Sequence, residues 1–89
     1  MADALQRAVG AVEAEVDGER ILLSPKDYSY FRLGGTGAPV WDLIDGRRTV
    51  EDIVVSLESQ YAAEPGTIRS ETEQFVALLA EAGLVTRGA

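Results

Sequence analysis

A chain of 89 residues amounts to one domain and can bury only a thin core. It has no cysteine, no histidine and no asparagine, which excludes disulfides, thiolate metal sites, cysteine nucleophiles and imidazole bases. Fifteen Asp and Glu against eight Lys and Arg give a net charge of −7, the wrong sign for displacing counterions from nucleic-acid phosphates and a favourable one for meeting a basic partner.

The 46% hydrophobic content is that of a folded protein. No apolar run approaches the ~18 residues of a membrane span. The opening MADALQRAVGAV lacks the basic and continuous apolar regions of a secretion signal, so a cytoplasmic protein with no membrane partner is expected. Residues 1–10 have helical composition without a complete apolar stripe. They are read as a flexible N-terminal arm, followed by a domain over 11–86 and a tail over 87–89.

Val12-Glu13-Ala14-Glu15-Val16 alternates with period two, as a half-buried strand does. Asp17-Gly18 supplies the left-handed positions of a tight hairpin turn. Arg20–Ser24 returns as a second strand, with Ile21 and Leu23 on one face and Leu22 on the other. Pro25-Lys26-Asp27 turns again, and Tyr28–Leu33 is predicted as the third strand. There Ser29, Phe31 and Leu33 share one face and Tyr28, Tyr30 and Arg32 the other. Strands paired in sequence order leave the first and third as edges.

Gly34-Gly35-Thr36-Gly37 lacks the residues of a phosphate-binding loop and is predicted as a strand-to-helix turn. A first helix is expected over Ala38–Ile44, with Pro39 in its first turn, Val40, Trp41 and Ile44 buried, and Asp45-Gly46 as its stop. Thr49 is placed to cap a second helix, with Asp52 three residues on and Val50, Ile53, Val54, Leu57 and Tyr61 as its apolar stripe. A third helix starts either at Pro65–Thr67 or at a Ser70 cap with Glu73. Its stripe is Ile68, Thr72, Phe75, Val76 and Leu79, and Gly83-Leu84 closes it.

This order defines an α+β domain, a three-stranded antiparallel meander followed by three helices, winged-helix-like in outline. A DNA-reading role conflicts with the helices. The second carries Glu51, Asp52 and Glu58, and the third Glu71, Glu73 and Glu81 with Arg69 only near its start. Those carboxylates would face phosphates and base acceptors. A small enzyme would need a deep pocket to perturb a carboxylate pair, for which this length leaves little room. No catalytic residue, metal ligand or cofactor is predicted.

The aromatic strand ending in Leu33, Trp41 with Leu43 and Ile44, Asp45-Gly46, Thr49-Val50-Glu51 and Gly83-Leu84-Val85 occur in an order that resembles the PqqD-like domains, or RiPP recognition elements. The resemblance runs from about Val12 to Val85 and implies the PqqD fold. It also implies a non-catalytic module that binds the leader of a ribosomally made precursor peptide by strand addition. The leader would lie beside the third strand, in a groove against the third helix. Its site would comprise Tyr28, Ser29, Tyr30, Phe31, Arg32 and Leu33 together with Ile68, Glu71, Thr72, Phe75 and Leu79. Glu71 stands where the family commonly carries an acid, suited to a Lys or Arg of the leader. The discrete length resembles the leader-binding proteins of lasso peptide pathways, which implies a cysteine-protease leader peptidase and a cyclase as partners. The alternatives are a PqqD-like chaperone for a radical-SAM or other RiPP enzyme, and a protein-interaction or dimerisation domain using the same open edge.

Overall fold

A computed structural model of the chain describes residues 4–34 and 37–87. Asp17 and Gly18 take φ angles of 53° and 80°, the left-handed pair that a tight turn requires. They fold Val12–Val16 (β2) onto Glu19–Leu23 (β3), in register from Val12↔Leu23 to Val16↔Glu19. Tyr30–Leu33 (β4) pairs with β3 from Leu23↔Tyr30 to Arg20↔Leu33. The sheet order β2-β3-β4 leaves β2 and β4 at its edges, as the meander reading requires.

The third strand is shorter than the predicted Tyr28–Leu33. Tyr28 has a positive φ of 62°, and its amide donates to the Ser24 carbonyl at 3.1 Å. The Asp27 carboxylate accepts from the Ser29 amide and hydroxyl. This local Asx turn competes with the ladder for Tyr28 and Ser29. Both residues therefore belong to the β3–β4 turn, and the strand starts at Tyr30.

Three helices follow: Gly37–Leu43 (α1), Val50–Gln60 (α2) and Thr67–Glu81 (α3). The expected Thr49 cap forms a full capping box. Its hydroxyl accepts from the Asp52 amide at 3.1 Å, and its amide donates to the Asp52 carboxylate at 3.0 Å. Such a cap is worth about 1 kcal/mol. Of the predicted α2 stripe, Ile53, Val54 and Leu57 are buried, whereas Tyr61 lies past the last turn and is exposed. The third helix begins at Thr67 after a left-handed Gly66, so the earlier of its two candidate starts holds. Gly83 ends it at a φ of 76°. The Leu84 amide reaches back to the Leu79 carbonyl at 2.9 Å, and Gly83 to Ala80 at 3.1 Å, the paired bonds of a Schellman cap.

The predicted flexible arm needs correction where the structure describes it. Leu5–Arg7 is a strand (β1) paired antiparallel with Val85–Arg87 (β5), and Leu5 has no exposed surface. Its amide donates to the Arg48 carbonyl, and its carbonyl accepts from Gly46. Arg87, assigned to the tail, is the last residue of β5. One buried leucine in a segment without a complete apolar stripe carries no periodic signal, and the strand that completes it lies at the far end of the chain.

Leu5, Leu22, Trp41, Ile44, Ile53, Leu57, Ile68, Val76, Leu79 and Leu84 form one core. Burying each large apolar side chain contributes about 1.5–3 kcal/mol. Trp41 is core, as expected, and its indole N–H also donates to the Glu13 carboxylate at 2.7 Å. Among the described residues no helix is long and apolar enough to cross a membrane.

Candidate functional site, an open strand edge facing α3

Among the described residues no strand lies beyond β4 in the sheet. Its face alternation is as predicted: Leu33 is buried and Phe31 half-buried, whereas Tyr30 and Arg32 are exposed. It carries no proline and no acid, so nothing interrupts its outward row of amides and carbonyls. The other edge, β2, bears Glu13 and Glu15, charges of the kind that blunt an edge against pairing.

Between β4 and α3 lies an open groove of about 280 Å³, lined by Arg32, Gly34, Gly37, Glu71, Gln74, Phe75 and Leu78. Gly34 and Gly37 line the groove at the strand-to-helix turn, where the Gly37 amide donates to the Gly34 carbonyl at 2.8 Å. Gly35 and Thr36, also assigned to that turn, lie outside the described residues. At the other end of β4, Ser24 ties the turn to α3: its buried hydroxyl donates to the Ala82 carbonyl and accepts from the Lys26 amide. The β3–β4 turn is thus joined to the C-terminal end of α3.

The predicted site residues divide. Arg32, Glu71 and Phe75 line the groove, and Tyr30 to Leu33 form the edge itself. Tyr28 and Ser29 sit in the turn, Tyr28 four-fifths exposed. Ile68, Thr72 and Leu79 are buried at 3%, 0% and 0% exposure and belong to the core side of α3. Seven helical positions separate Glu71 from Leu78, and the stripe Glu71, Gln74, Phe75 and Leu78 is offset from the core stripe. Gln74 and Leu78 were missed. The available signal was Leu78, a large apolar side chain just off the core spacing and 53% exposed.

The groove's apolar side chains are Phe75 and Leu78, and its polar ones are Arg32, Glu71 and Gln74. Glu71 has no ion-pair partner among the described residues, in contrast to Glu51, which Arg69 holds at 2.9 Å. The Arg69 hydrogen bond lowers the Glu51 pKa, and Glu51 raises that of Arg69. Since Arg69 is the only cation on α3 and is already paired, that helix offers no free positive charge for nucleic acid. Among the described residues no cluster of carboxylates has the arrangement to hold a metal ion.

A larger depression, about 480 Å³, lies between β1 and the end of α1. Several of its polar groups are already engaged. Arg7 stacks on Trp41 at 4.6 Å and donates to its carbonyl, while Asp45 accepts from the Arg47 and Arg48 amides.

The family model for coenzyme PQQ synthesis protein D (PqqD) matches residues 19–85, a span that includes β3, β4 and all three helices. The chain belongs to the PqqD family. It is similar to TbiB1 in complex with the TbiA(beta) leader peptide, with a TM-score of 0.77 and 26% identity over 94% of this chain and 98% of that one. The PqqD truncation of Methylobacterium extorquens PqqCD, a functional and stand-alone RiPP recognition element, gives 0.72 and 27% over 93% and 88%. Lasso peptide synthetase B1 complexed with the leader peptide gives 0.76 over 92% and 96%, and at 21% identity is a likeness of fold. No curated protein sequence matches the chain.

Proposed function

We propose that this chain binds the leader segment of a ribosomally made precursor peptide as a strand added to β4. It acts without catalysis and delivers the peptide to a cysteine-protease leader peptidase and to a cyclase, in lasso peptide maturation. The observation that carries this reading is the unblocked β4 edge, set beside a groove lined by Phe75 and Leu78 in a PqqD-family chain. The similar TbiB1 structure contains a leader peptide, which supports the reading.

Strand addition divides the work. Backbone hydrogen bonds to Tyr30–Leu33 supply affinity that does not depend on sequence, and alternate side chains of the added strand supply selectivity in the groove. Phe75 and Leu78 suit an apolar leader residue. Glu71 and Gln74 suit a cationic or amide neighbour, since a carboxylate without an ion-pair partner favours a Lys or Arg.

The test is a fluorescence-polarisation titration of the labelled leader from the precursor encoded beside this chain's gene. A scrambled leader and a DNA duplex serve as controls. Sub-micromolar binding of the true leader alone supports the proposal. Equal binding of the scrambled leader, or no binding, refutes it.

A further inference from the structure

A buried hydroxyl at the start of the β3–β4 turn holds the end of α3. Ser24 is 1% exposed, and its hydroxyl donates to the Ala82 carbonyl and accepts from the Lys26 amide at 3.1 Å. Carbonyls at a helix end have no partners in the helix's own ladder. Here Gly83 and Leu84 meet those of Ala80 and Leu79, and Ser24 meets that of Ala82. The approach is close, since a Cβ on Gly83 would lie 3.3 Å from Lys26 Cβ. The main chain of Ser24 is engaged as well. Its amide donates to the Ser29 carbonyl at 2.8 Å, and its carbonyl accepts from Tyr28 at 3.1 Å.

These bonds run from the strand edge to a residue that lines the groove. On one side Ser24 is bonded to Ser29, the residue just before β4 begins at Tyr30. On the other, the Ala82 amide donates to the Leu78 carbonyl at 3.0 Å, one helical turn back, and Leu78 lines the groove. We infer that Ser24 is a positioning residue for leader binding: by holding Ala82 it fixes the distance between β4 and the Leu78 side of α3, against which an apolar leader residue packs. The inference rests on the proposed function and adds a residue outside the groove that governs its grip.

Ladder bonds to β4 do not read side chains, so selectivity falls to the helix that faces them. A binding wall discriminates only when the residues behind it hold it in place. Without the Ser24 hydroxyl, the Ala82 carbonyl and the Lys26 amide each lose a buried partner, and the turn and the helix end part to regain one from water. The reach of that change is short. At a rise of 1.5 Å per residue, Leu78 lies about 6 Å from Ala82 along the helix and Glu71 about 16 Å. The groove should therefore slacken at Leu78 and hold its shape at Glu71.

The experiment is a pair of double-mutant cycles on the full chain, read by polarisation with the labelled leader from the precursor encoded beside its gene. Ser24→Ala, with circular dichroism as the fold control, is expected to weaken binding about tenfold, because a supporting hydrogen bond is lost. Combined with Leu78→Ala, the loss should fall short of the product of the single losses by about threefold or more, as for coupled neighbours. Combined with Glu71→Lys, the losses should multiply to within about twofold, as for distant sites. A folded Ser24→Ala with the parent's affinity overturns the inference. Equal coupling to Leu78 and Glu71 also overturns it, since a general loosening of the domain would not distinguish them. If Ser24→Ala does not fold, Ser24→Cys, close in size and a weaker donor, is carried through the same cycles and judged by the same outcomes. Failure of the parent protein to bind the leader refutes the proposed function itself, and is read before any variant is compared.

Discussion

Gly37 lies against the ring of Phe75 so closely that a Cβ on it would sit 3.4 Å from Phe75 Cζ. Both residues line the groove. Gly37→Ala places a methyl at ordinary contact distance and should leave both fold and leader affinity nearly unchanged. Gly37→Val adds bulk between Phe75 and Leu33 Cδ2, 3.8 Å from the same point. It should displace the ring and weaken leader binding about tenfold, a cost of about 1.4 kcal/mol. Polarisation titration of both variants, with circular dichroism as the fold control, checks the contrast.

The two stripes of α3 predict opposite behaviour. Leu78→Ala and Glu71→Lys alter the groove side and should weaken binding of a leader that is apolar and basic at the matching positions. Unfolding free energy should change by only about 0.5 kcal/mol or less, because both positions face solvent. Thr72→Val acts on the core side. The Thr72 hydroxyl is buried with no hydrogen-bond partner among the described residues, so its removal should leave leader affinity alone and raise stability by about 1 kcal/mol. Urea denaturation and titration on the same three variants would separate the stripes. A loss of leader affinity in Thr72→Val would return that residue to the site.

Trp41 and Glu13 join α1 to β2 through a hydrogen bond from a nearly buried indole to a carboxylate that also faces Arg7 and Arg20. Glu13→Ala leaves that indole unpartnered and should cost about 1–3 kcal/mol. Glu13→Gln keeps an acceptor oxygen and should cost less. Denaturant midpoints for the two variants measure the difference, and equal losses would show that charge, not the acceptor, matters.

The pH dependence follows from three exposed carboxylates. Hydrogen bonds from Ser29, from the Arg47 amide and from Arg69 hold Asp27, Asp45 and Glu51, respectively, below their ordinary pKa values. A lowered folded-state value means that the unfolded chain takes up protons first. The stabilisation is therefore complete above the ordinary carboxylate range and is lost as pH falls through the lowered values. With no histidine in the chain, stability should be flat between about pH 5.5 and 7 and decline below about pH 4. Asp45→Asn and Glu51→Gln should flatten that decline in thermal melts across pH.

The meander and the helices were legible because their signals are local. Asp17-Gly18 requires its turn, Thr49 with Asp52 requires its cap, and Gly83-Leu84 requires its stop. What escaped depends on distant partners. Leu5 becomes a strand residue only because Val85–Arg87 returns beside it. The alternation of β2 was plain, but its orientation was not, because Trp41, Arg7 and Arg20 draw Glu13 to the helix side. On α3, core and groove stripes differ by one position, below what spacing alone resolves. Of the residues expected at the site, Phe75 and Glu71 line the groove, whereas Ile68, Thr72 and Leu79 are buried on the core side of α3.

Amide hydrogen exchange on the full chain, with and without saturating leader peptide, tests strand addition most directly. New protection at the outward amides of Tyr30–Leu33, with Val12–Val16 unchanged, is the predicted result. Protection on β2 instead, or binding with no new protection at β4, would contradict it.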